Sequence, residues 1–68
     1  MKFINKLKDY RLKRKMTQAE LAEKSGVSRT TIVYLERGSA RVTKTDTLMK
    51  LATALNAGVK EIFFIKKV

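Results

Sequence analysis

Three glycines, at positions 26, 38 and 58, punctuate a chain that contains no proline. Between them the apolar residues recur at three- and four-residue spacing, which lines one face of a helix, whereas a half-buried strand would alternate every second position. With helix stops at intervals and nothing to break a helix internally, residues 1–68 read as one all-α domain of five helices. The first is expected from about Asn5 to Arg14, with Ile4, Leu7, Tyr10 and Arg11 sharing a face. The second opens at Thr17, which can cap while Glu20, three residues on, returns a hydrogen bond. It turns Leu21 and Ala22 inward and ends at Ser25-Gly26, where a left-handed backbone suits glycine. Ser28 is a good N-cap for the third helix, and Gly38 stops it. Thr43 and Asp46 offer a second capping box, for a fourth helix with Leu48, Leu51, Ala52 and Leu55 inward, closed by Gly58. Val59 to Phe63 makes a short fifth helix, and Phe64 to Val68 reads as extended because aromatic and β-branched residues favour strands.

Charge narrows the partners. Sixteen Lys and Arg against six Asp and Glu leave a formal net charge of +10, which attracts polyanions: nucleic acid first, an anionic membrane surface second. The excess is not uniform. Lys2, Lys6, Lys8, Arg11, Lys13, Arg14 and Lys15 crowd the first fifteen residues against Asp9 alone, and Arg29, Arg37, Arg41 and Lys44 follow against Glu36. A basic first helix on a membrane is disfavoured, since its apolar face is needed for the core. No apolar run approaches the eighteen or so residues of a membrane span, and no signal-type stretch develops at the N-terminus.

The chain has no Cys and no His, so disulfides and a conventional zinc site cannot reinforce it. A domain this short is marginal in stability, and dimerisation is the reinforcement that remains. Missing cysteine fits a reducing, cytoplasmic setting. No general acid–base or nucleophilic constellation can be assembled, and no Gly-rich phosphate loop is present. An enzyme is not expected, and no cofactor is called for.

Within residues 17–37 the spacing describes two helices locked at an angle. Ala22 permits a close crossing, Gly26 makes the turn, and Val27, Ile32 and Leu35 hold the second helix against the first. Thr30, Val33, Tyr34 and Arg37 point the other way, with Arg29 on the flank. Such rigidity matters when an exposed helix face must fit a groove about 12 Å wide.

The run from Met16 to Gly38 resembles the Cro/repressor-type (XRE-like) helix-turn-helix family, and the similarity extends through Leu48–Leu55 and Val59–Phe63. The resemblance implies a compact repressor-like fold and a sequence-specific regulator of transcription, a repressor binding double-stranded DNA at a pseudo-palindromic operator as a homodimer. It implies base contacts in the major groove from Arg29, Thr30 and Tyr34, and backbone contacts from Gln18, Thr31, Arg37 and Arg41. It also implies a largely buried ion pair between Arg11 and Glu36. If Arg29 reads a base, guanine suits it, since a guanidinium donates two bonds to O6 and N7. The residues by themselves leave alternatives: Arg29 as a phosphate clamp or solvated charge, Thr30 as a bystander, Tyr34 packed on the scaffold, Arg37 and Arg41 on solvated faces.

Three departures from the family pattern stand out. Lys15 occupies a position commonly held by Gly, the loop after Gly38 is longer and lacks Pro, and the tail after Phe63 is too short for a sensing or catalytic domain. Small members of the family pair their chain ends into an antiparallel ribbon, and Met1–Ile4 with Phe64–Lys66 resemble such ends; the alternative is a frayed tail. A ribbon over the first and fifth helices leaves the dimer contact to Asn56, Val59 and Ile62. A protein partner held through the C-terminal tail, as in an antitoxin, is the competing class of function.

Overall fold

The computed structural model describes residues 2–38 and 44–66. In chain order they form β1 (Lys2–Asn5), α1 (Leu7–Lys13), α2 (Gln18–Ser25), α3 (Arg29–Arg37), α4 (Thr45–Ala54), α5 (Val59–Ile62) and β2 (Phe63–Lys66). Five helices thus enclose one core, and the chain ends pair. The two strands run antiparallel, with Lys2 opposite Lys66, Phe3 opposite Ile65, Ile4 opposite Phe64 and Asn5 opposite Phe63. The expected ribbon forms, each strand reaching one residue further than expected at its helix-proximal end, to Asn5 and Phe63.

That extra residue corrects two boundaries. Asn5 is the last residue of β1 rather than the first of α1, and its side chain explains why. Oδ1 accepts from the Leu7 N–H at 2.8 Å, an Asx-type turn that competes with continuing the helix backward. Phe63 leaves α5 for β2 because its backbone is extended (φ −122°, ψ 119°). The Lys6 N–H donates to the Ile62 carbonyl at 2.8 Å, so the ribbon and the ends of α1 and α5 are tied at one point.

Leu7, Leu21, Ile32, Leu35, Leu51, Leu55 and Ile62 are fully buried and take one residue or more from every helix. Each such side chain contributes roughly 1.5–3 kcal/mol relative to exposure, which is what holds so small a domain together. Phe63 joins this core from the ribbon. Ile62, expected at a dimer contact, is enclosed in the chain's own core at 0% exposure and has no surface left to offer a second copy.

The helix ends show which local signals decide. At α2, Thr17 accepts from Glu20 N–H while the Glu20 carboxylate accepts from Thr17 N–H, at 3.0 and 2.9 Å. Gly26 and Gly38 adopt φ of 78° and 74° and close α2 and α3. Lys15 is left-handed as well, at φ 57°. Around it Lys15 N–H donates to Leu12 and Met16 N–H to Arg11, the paired bonds of a Schellman closure. Gly58 does not close α4. Its backbone is extended (φ −77°, ψ 147°) and it precedes α5. The reversal falls on Asn56, at φ 53°, with Asn56 N–H bonded to Thr53 and Ala57 N–H to Ala52. Asn tolerates the left-handed region better than most residues. At the start of α4 the cap position is Lys44, without a side-chain cap bond; Thr43 lies outside the described residues, as does Arg41.

Candidate nucleic-acid interface

The turn at Gly26 hands the chain from α2 to α3, and two local contacts fix how α3 begins. Ser28 Oγ accepts from the Thr31 N–H at 3.2 Å and shares a 2.9 Å hydrogen bond with the Thr31 hydroxyl. Val27, Ile32 and Leu35 are buried, so the inner face of α3 is committed to the core. Its outer face is not. Arg29, Thr30, Val33, Tyr34 and Arg37 line a shallow open groove, and Tyr34 is 50% exposed. Among the described residues, none engages the side chains of Arg29, Thr30, Tyr34 or Arg37 in a hydrogen bond or ion pair. Two guanidinium groups, two hydroxyls and an apolar side chain are therefore presented together on one rigid helix.

Beneath that face lies a polar knot joining three helices. Arg11 of α1 is 8% exposed and donates through Nε to Glu36 Oε2 at 2.6 Å and through Nη2 to Oε1 at 3.0 Å. Its Nη1 donates to the Met16 carbonyl at 2.7 Å. The fork geometry matches a carboxylate bidentately. Hydrogen bonding to Glu36 raises the Arg11 pKa, against the lowering effect of burial, and the Glu36 charge adds to the rise. Gln18, the first residue of α2, joins through Nε2 to Glu36 Oε1 at 3.2 Å. The expected Gln18 is thus anchored from below, and its second amide proton remains for an outside acceptor.

Two further residues hold the frame and carry no strong local signal. Asn5 Nδ2 donates to the Leu35 carbonyl at 2.6 Å, linking the ribbon to the last turn of α3. Arg14 Nε donates to the Leu55 carbonyl at 2.9 Å, placing a cation at the C-terminal end of α4, where the helix dipole favours one. Arg14 makes this bond while staying exposed, so it remains part of the basic surface. Lys6 and Lys13 lie over the rings of Phe64 and Tyr10, at 5.9 and 5.2 Å. Among the described residues no helix is long and apolar enough to cross a membrane.

A family model described as helix-turn-helix matches residues 7–62. The chain belongs to the XRE-type helix-turn-helix family. Two uncharacterized HTH-type transcriptional regulators of Archaeoglobus fulgidus are similar to this helix-turn-helix chain. One is 41% identical over 58 residues and the other 40% over 62, each alignment taking in 85% of this chain and 80% or 81% of the relative. A regulator described in the same words from Methanocaldococcus jannaschii is 50% identical over 48 residues, 71% of this chain and 65% of its own length. Among solved structures, a chain of the SinR protein/SinI protein complex superimposes with a TM-score of 0.79 at 28% identity. That match takes in 82% of this chain and 54% of the other, so the present helix-turn-helix chain spans about half its length. The chain is accordingly a transcriptional regulator with a helix-turn-helix DNA-binding fold.

Proposed function

We propose that the chain is a cytoplasmic repressor that binds a pseudo-palindromic operator as a homodimer, each α3 lying in the major groove. The observation that carries this reading is the outer face of α3, polar, basic and unused by the fold. Arg29, Thr30 and Tyr34 contact base edges, with guanine the partner for Arg29. Gln18, Thr31 and Arg37 contact phosphates, as does Arg41, which follows α3 in the sequence. Thr31 does so with a hydroxyl already oriented by Ser28. The dimer contact is assigned to the turn at Asn56, which is exposed, and Val59, which is half-buried. Two-fold symmetry then sets the reading helices about 34 Å apart, one turn of the duplex.

Selection from random duplexes, followed by affinity measurements across a salt series, tests the assignment. Arg29→Ala loses about 1–3 kcal/mol of discrimination between the selected site and a scrambled one. Arg37→Ala weakens both duplexes alike and flattens the salt dependence by about 0.9 for each phosphate no longer neutralised. Equal losses on both duplexes for Arg29→Ala make it a phosphate clamp instead. Sedimentation at the same concentrations reports the dimer, and a selected site without two-fold symmetry speaks against it. A protein partner is the second reading, supported by the solved SinR structure being a complex with SinI.

A further inference from the structure

Val33 is the one aliphatic residue of the groove on α3, and it lies outside the buried core. It is half-buried and lines the groove with Arg29, Thr30, Tyr34 and Arg37. It is absent from the half-buried apolar residues that pack against the core. A β-branched residue lowers helix stability, and at this position no packing against the core offsets that cost. It does gain one thing from the helix. Its χ1 is held almost entirely to a single rotamer, so both methyl groups are presented at fixed positions in an otherwise polar, cationic groove.

We propose that Val33 reads the C5-methyl group of a thymine. This rests on the reading that α3 enters the major groove. The thymine methyl is the one apolar group on the base edges there, and valine has no donor or acceptor with which to recognise anything else. The register follows from the helix. Val33 lies four residues beyond Arg29, about 6 Å along the axis, which is one to two base-pair steps of about 3.4 Å. The methyl-bearing thymine therefore belongs one or two steps from the guanine assigned to Arg29, once in each half-site.

The test removes that methyl and nothing else. In the site recovered by selection, each thymine is replaced in turn by deoxyuridine, and affinity is measured for the parent and for Val33→Ala. Burying one methyl is worth about 0.8 kcal/mol, a factor of about four. One symmetric pair of substitutions is expected to weaken the parent about fourfold per half-site and to leave Val33→Ala unchanged. Val33→Ala leaves the core packing intact, and an unchanged melting temperature checks its fold. A uracil penalty that persists undiminished in Val33→Ala, or one abolished by Tyr34→Ala instead, overturns the assignment. So does a selected site with no thymine at that distance. In each of those cases an Arg29-dependent site preference still stands, whereas failure to select any preferred site overturns the major-groove reading as well.

Discussion

Arg11 and Glu36 lie twenty-five residues apart, yet their side chains are nearly sealed from water at 9% and 5% exposure. Bringing two charges out of water costs several kcal/mol, which a bidentate contact and further hydrogen bonds offset. Here Met16 and Gln18 supply those further bonds. Removing one partner is a different matter from removing both. Arg11→Met leaves the Glu36 carboxylate buried with only the Gln18 amide, and the expected loss is roughly 3–5 kcal/mol in urea unfolding. Replacing both, as Arg11→Met with Glu36→Leu, should recover much of that loss. An Arg11→Met midpoint equal to the parent's means that the pair contributes nothing. The same knot anchors Gln18 at the start of α2, so stability and the placement of the residue proposed to contact phosphate share one set of hydrogen bonds.

Helix ends are where local chemistry and backbone strain can be weighed separately. Lys15 holds φ 57° to complete the Schellman closure of α1, a conformation that costs a residue with a Cβ about 1 kcal/mol or more. Lys15→Gly is therefore expected to stabilise the domain by about 1 kcal/mol, less whatever glycine adds to the entropy of the unfolded chain. No gain in melting temperature would show that the unfolded-state term cancels the relief. The α2 capping box makes a pH prediction. Hydrogen bonds from the Thr17 backbone, and then its side chain, lower the Glu20 pKa. A carboxylate depressed on folding contributes stability above its unfolded pKa, about 4.3, and loses it as pH falls through the folded value. The parent should be more stable than Glu20→Gln at neutral pH, and the difference should shrink as melts are taken below about pH 4. A gap independent of pH would remove the carboxylate charge from the account.

At the scale of the molecule, the ribbon is the element that couples the chain ends to α3. A two-stranded ribbon is marginal by itself, and this one is supported by Phe63 in the core, by Lys6 N–H on Ile62 and by Asn5 on the Leu35 carbonyl. Deleting residues 64–68 removes three of the four paired positions on β2. Melting temperature is expected to fall by several degrees, as it does for a loss of about 1 kcal/mol in a domain this size. Sedimentation should be unaltered, because the proposed dimer contact is at Asn56 and Val59. An unchanged melting point would make the ribbon dispensable, and a monomer would move the dimer contact onto it.

Residues 17–37 were legible from the sequence because everything that shapes them acts within four residues: the Thr17–Glu20 box, Ser28 on Thr31, the left-handed glycines 26 and 38 and the apolar spacing between them. That local order also separates the core side of α3 from the side left for a partner. The rest depended on tertiary structure. Whether Ile62 faces a second copy or its own core is decided by how α5 closes against the rest of the core, and packing enclosed it. Asn56 rather than Gly58 reverses the chain because α4 ends where Leu55 is needed in the core, leaving the left-handed position to the next residue. Asn5 and Arg14 meet carbonyls thirty and forty-one residues away. No periodicity carries such a pairing, since the partners come within reach of one another only when the whole core has formed.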